Sequence, residues 1–133
     1  MWVSELEAKV FSIVKTRLAD LKTKYPTIYF TTQELSEIDA VFPTWYFKTL
    51  AYSEVGEDLS GDVVNGVRFG CQIEVVTNNS MSDVNYIMDR TIEEMKKLRF
   101  KLIATPTWLS SGDLKRSVVR FRRIIGAGDA IDN

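Results

Sequence analysis

Apolar and polar residues recur along this chain with two different periods, and the changes of period divide it into elements. From Ser4 to Thr23, the residues Leu6, Val10, Ile13, Val14, Arg17, Leu18 and Leu21 follow three- and four-residue steps. That spacing predicts a helix with one apolar stripe. Ser4-Glu5-Leu6-Glu7 has capping-box spacing, in which the Ser4 hydroxyl accepts from the Glu7 amide while Glu7 reaches back. Tyr25-Pro26 ends the helix, because proline disfavours helical geometry in the residue before it. Thr27 to Phe30 predicts a short strand, and Thr31 to Val41 an irregular or briefly helical connection. Phe42 to Leu50 predicts a strand with Trp45, Phe47 and Thr49 on one face and Thr44, Tyr46 and Lys48 on the other. Pro43 near its start marks a strand beginning or an edge.

Ser53 to Asp62 is polar and holds Glu54, Glu57, Asp58 and Asp62 with no basic residue, which predicts a long hairpin loop. In Val64 to Asn78, the positions Val67, Phe69, Cys71, Ile73 and Val75 alternate with Arg68, Gly70, Gln72, Glu74 and Val76, a period of two. At about 3.3 Å per residue this strand exceeds ~40 Å, so it is expected to overhang the sheet and carry the acidic loop as a projecting arm. Asn78-Asn79-Ser80 is a turn, with Ser80 capping a second helix and Asp83 in its first turn. Val84, Ile87, Met88, Thr91, Ile92, Met95 and Leu98 mark that helix's apolar face, and Asp89, Arg90, Glu93, Glu94, Lys96 and Lys97 its polar side. Phe100 to Thr105 reads as a strand stopped by Pro106, Trp108 to Asp113 as a turn, and Arg116 to Ile125 as the last strand. The order predicts an α+β fold: a mostly antiparallel sheet with two helices packed on one face and a long projecting β-hairpin. One domain is expected over residues 1–125, with 126–133 a flexible C-terminal tail.

Composition narrows the function classes. With 133 residues, 45% hydrophobic, 26% charged and a net charge of −1, the chain has the profile of one soluble globular domain. It contains no membrane-length apolar run and does not begin like a signal peptide, so the cytoplasm is the default expectation. One cysteine and no histidine exclude an intramolecular disulfide, Cys or His metal clusters, and triads or dyads built on histidine. Near-zero net charge argues against a dedicated nucleic-acid binder.

The local charge pattern still asks for an explanation, since five basic residues fall between Lys115 and Arg123. Val119, Phe121 and Ile125 share a face with Arg123, while Arg120, Arg122, Val118 and Ile124 share the other, as in a strand half in the core. A solvated or subunit-facing surface is the first reading and a nucleic-acid contact the second. The acidic stretch 54–62 is the natural counterpart, in a neighbouring copy, of this basic strand.

Asp58, Asp62 and Glu57 lack EF-hand spacing, no Gly-Lys-Ser or Gly-Lys-Thr occurs, and Gly126-Ala127-Gly128 leads into no helix. No metal or cofactor is therefore expected. Cys71, Met88 and Met95 read as core. Trp2, Trp45 and Trp108 are more than one small core usually needs; local packing is the first reading, and for Trp108, in a turn-like stretch, a surface binding anchor is the second.

Taken together, FPTWYFKTL, GVRFGCQIEVVTNN, IMDRTIEEMKKLRFKLIATP and KRSVVRFRRIIG resemble the tail terminator (tail-completion or neck) proteins of long-tailed bacteriophages and phage-derived particles. The likeness spans Ile28 to Ile125 and lies in the order of elements. It includes a helix running into Met-x-x-Leu-Gly-Phe, here Met95-Lys96-Lys97-Leu98-Arg99-Phe100, with Arg99 in the glycine's place. The resemblance implies a non-enzymatic virion protein, assembled in the host cytoplasm as a ring, expected to be a hexamer. Such a ring caps the tail tube, ends its polymerisation and joins it to a head-completion or neck protein. DNA passes through the lumen without sequence-specific binding, and no membrane is involved. Residues expected at subunit or tube interfaces are Glu54, Glu57, Asp58, Asp62, Arg116, Arg120, Arg122, Arg123 and Trp108. Other readings are a head-completion or stopper protein, a small nucleic-acid- or ligand-binding α+β module using the Arg120/Arg122 face, and last a carboxylate-based enzyme.

Overall fold

The computed structural model describes residues 2–33, 41–50, 53–57 and 64–132. A 3₁₀ turn (Trp2–Glu5) leads into α1 (Leu6–Arg17) and a single-turn α2 (Leu21–Lys24). There follow β1 (Tyr29–Thr31), β2 (Thr44–Thr49), β3 (Ser53–Glu57), β4 (Val64–Thr77), α3 (Met81–Lys97), β5 (Lys101–Ser111) and β6 (Leu114–Gly126). The strands form one six-stranded sheet in the order β1-β2-β4-β6-β5, with β3 also paired to β4. Among the described strands only the β1–β2 pairing is parallel. The fold is α+β, with a mostly antiparallel sheet and its helices on one face.

Alternation along the strands builds the core. Val67, Phe69, Cys71, Ile73 and Val75 of β4 are buried, and so are Val119, Phe121 and Ile125 of β6 and Trp45 and Phe47 of β2. Against this face lie Leu6, Val10 and Val14 of α1 and Val84, Ile87, Met88 and Met95 of α3. An aromatic row ties the layers together: Phe11 of α1 stacks on Trp45 at 6.1 Å, Trp45 on Phe47 at 6.1 Å, and Phe47 on Phe69 at 6.5 Å. The Trp45 indole N–H donates to the Thr91 hydroxyl of α3 at 3.0 Å, so this large buried ring leaves no orphaned donor. Cys71 is buried, and burial raises its thiol pKa, consistent with a core role.

Both ends of α3 follow from local chemistry. The Ser80 side chain accepts from the Asp83 amide at the N-terminus. At the C-terminus the Phe100 amide donates to the Met95 carbonyl and the Arg99 amide to the Lys96 carbonyl, the paired bonds of a Schellman motif. Arg99 takes the left-handed position of that motif at φ 65°. Arginine therefore sits where glycine would carry no backbone strain.

Several expectations change. The first helix does not run unbroken from Ser4 to Thr23. Its N-cap is Glu5, without a side-chain cap, and the chain tightens after Arg17 so that Leu18 and Leu21, three apart and both fully buried, reach the sheet. Ser53–Glu57 is a strand and not part of a loop, because β4 extends past the end of β2 and its backbone groups need partners whatever the neighbouring side chains are. β4 is laddered to β6 from Gly66 to Thr77, and beyond that ladder its first residues run on in the hairpin with β3.

Trp108 to Asp113 is not a turn: β5 continues through Pro106 to Ser111, and Gly112 at φ 59° and Asp113 make the hairpin turn. Register shifts between Leu102 and Thr107 absorb the proline, and β5 is an edge strand, where a missing amide is tolerated. Residues 126–132 are not a free tail. Ile131 is fully buried, Asp129 is bonded by Arg123, and the Asp132 carbonyl accepts from Arg17.

Candidate functional site

Among the described residues, no helix or further strand layer covers the sheet face opposite the helices. Cross-strand register places Lys48, Arg68, Gln72, Glu74, Lys101, Arg116, Val118, Arg120, Arg122 and Ile124 on it. Glu74 among them is a carboxylate. In the middle of the face two arginines are tied down: Arg116 Nε lies 2.8 Å from Glu74 Oε1, and Arg120 Nε donates to Gln72 Oε1 at 2.9 Å. Both pairs line a shallow trough of about 480 Å³. At one end of the face the pattern changes. Arg68, Arg99, Lys101 and Arg122 surround an open basin of about 600 Å³, floored partly by Ile124, which is 58% exposed. Among the described residues none of these four cations has a hydrogen bond or an ion pair.

The neighbouring Arg123 is a different case. Only 7% exposed, it donates to the Leu98 and Ile131 carbonyls at 2.9 Å and to both Asp129 oxygens at 2.9 and 2.7 Å. It was expected at an interface but is committed to holding the C-terminal segment against the end of α3. Burial pushes the Asp129 carboxyl up, but the Ile131 amide and the Arg123 charge outweigh that and hold it below the usual carboxylate range. A second internal network centres on Glu94 of α3, which accepts from Arg17, Arg90 and Lys97 at 3.3, 3.0 and 3.1 Å. Burial opposes ionisation of Glu94, yet those three donors keep its pKa lowered.

Of the other expected residues, Trp108 stands on the helix side of β5, 54% exposed, its indole N–H donating to Asn85 at 2.6 Å. Glu54 and Glu57 fall on β3, where the backbone register alone is described. Asp58 and Asp62 lie outside the described residues, as does the side chain of Trp2. Arg116, Arg120 and Arg122 do share one face, as the alternation requires.

Sequence reading missed Arg68, Arg99 and Lys101 as basin members. Arg68 was visible as a polar position of β4, but only the pairing of β4, β6 and β5 brings it beside Arg122 and Lys101. Among the described residues no helix is long and apolar enough to cross a membrane. No protein-family model matches the chain, and no curated protein matches it.

Proposed function

We propose that this chain is a structural, non-enzymatic, ring-forming component of a phage or phage-like tail. In this reading it caps the tail tube, ends its polymerisation and joins the tube to the head or neck. The observation that carries the reading is the bare outer edge of the sheet. Along the 11-residue β5, Ile103, Trp108 and Leu109 are 44%, 54% and 47% exposed, and no strand pairs with its outer side among the described residues. An unpaired strand edge with large apolar side chains is a template for a neighbouring chain. The adjoining face, with Arg116 and Arg120 already braced, offers that neighbour a preformed polar surface. The resemblance in element order supplies the tail assignment; the edge supplies a physical means of self-association.

The test is assembly with the tail tube protein of the same particle, followed by mass photometry and electron microscopy. Ring-sized assemblies at tube ends and shortened tubes are expected, and Leu109→Lys with Trp108→Ala abolishes both. Unchanged tube lengths, with the protein monomeric throughout, would overturn the reading.

A further inference from the structure

We infer that the basin formed by Arg68, Arg99, Lys101 and Arg122 binds a phosphate-class oxyanion carrying several negative charges. This does not depend on ring assembly. Three independent observations lead to it.

The first is register. Lys101 and Arg122 are direct cross-strand partners, and Arg68 is diagonal to Arg122 across the β4–β6 ladder. Like charges directly opposite one another destabilise a sheet, so the unliganded arrangement is unfavourable. The second is the missing counter-charge among the described residues. Asp129 lines the basin, but Arg123 already engages both of its oxygens, and Arg99 adds only a longer-range attraction to it. Elsewhere on the same face Arg116 and Arg120 do have partners, so this end is where unpaired arginines gather. The third is Arg99 itself. It occupies a left-handed position, φ 65°, that glycine takes without strain. A need for positive charge at the C-terminus of α3 does not explain it, because Lys96 and Lys97 already supply that. A strained residue whose side chain lines a cleft is the usual mark of a functional constraint.

The ligand's chemistry follows from charge density. Four cations, three of them guanidinium forks suited to bidentate oxyanion recognition, converge on one shallow basin. A single carboxylate would leave most of that charge uncompensated. Carboxylates spaced along an extended peptide recur on one face only every ~7 Å. A chain of linked phosphates matches both the charge and the compactness. Among the described residues the basin wall includes no aromatic ring on which a base could stack. Recognition is therefore of the phosphate group itself, whether free or part of a nucleic-acid backbone.

Isothermal titration of the full chain with tripolyphosphate tests this, with citrate as the carboxylate control and a short duplex DNA as the second phosphate source. Tripolyphosphate is expected to bind at one site per chain. Arg122→Gln and Arg99→Gly each weaken it by about tenfold or more, as loss of a charge-assisted hydrogen bond does. Arg99→Gly also raises the denaturation midpoint, since glycine relieves the backbone, so its weaker binding is not a folding defect. Competition by the duplex identifies backbone phosphate as the source; failure to compete identifies a free phosphate chain. Absence of tripolyphosphate binding, equal affinity in both variants, or citrate binding as tightly would each overturn the proposal.

Discussion

Arg122 and Arg123 are adjacent on one strand, yet they belong to opposite regimes. Arg123, on the helix side, is buried and spends its side-chain bonds inside the chain, on two carbonyls and one carboxylate. Arg122, on the bare side, is exposed in a basin of like charges with no partner among the described residues. The same division holds across the molecule. Behind the helices, Glu94 gathers Arg17, Arg90 and Lys97, and Asp20 accepts from Arg90 at 2.9 and 3.1 Å. On the bare face Arg116 and Arg120 are paired, while among the described residues the four basin cations at one end are not. The difference teaches that charge number says little about role. A cation whose bonds close inside the protomer explains the fold, while one whose bonds remain open needs something from outside to explain it.

The largest effect that would break this comparison comes from the adjacent arginines. Arg123→Met should cost about 3 kcal/mol or more, because it leaves the carboxylate of Asp129 and two carbonyls without their donor. It should also release residues 127–132 to proteolysis. Arg122→Met should change stability by less than about 0.5 kcal/mol. Urea denaturation of both variants checks this, and equal costs would erase the distinction between the two faces.

A smaller effect concerns pH. The carboxyls of Glu94, Asp20 and Asp129 are held below their ordinary values, for Glu94 below 4.5. Groups with depressed folded-state pKa values stabilise the protein fully above the ordinary carboxylate range. That contribution is lost as pH falls through the folded values. Stability should therefore decline from about pH 5 downward. Glu94→Gln should cost about 1–2 kcal/mol at neutral pH and flatten the acid limb, as measured by denaturation across pH. An unchanged acid limb in that variant would show that the internal network is not what holds these helices together.

The smallest effect sharpens the other side of the comparison. Lys101→Glu turns a repulsive cross-strand pair with Arg122 into an attractive one and should stabilise the protein by a few tenths of a kcal/mol, about 0.5 at most. It should do so while abolishing tripolyphosphate binding. A destabilised Lys101→Glu protein would mean that the basin cations already have a counter-charge within the chain.

Much of the frame was legible because burial imposes a period. The alternation from Val67 to Val75, the apolar steps from Val84 to Leu98 and the Ser80 cap each depend on neighbours close in sequence, and each stands in the structure where the pattern places it. The turn expected at Trp108–Asp113 and the loop expected over Ser53–Glu57 failed for one reason. Both segments are polar or proline-marked, and both are strands because an adjacent long strand supplies backbone partners that local composition cannot announce. The docking of residues 126–132 was equally hidden, since nothing near Asp129 in sequence reveals that Arg123 will face inward and need it.

By itself the sequence determined which faces are dry, because a residue's polarity and its spacing from its neighbours are properties of the chain. It also determined the absence of histidine chemistry and the crowding of cations on the last strand. Only the tertiary structure decided which of those cations are spent internally and which converge. Convergence depends on register between strands distant in sequence: one step of slip would have carried Lys101 away from Arg122 and Arg68 from both.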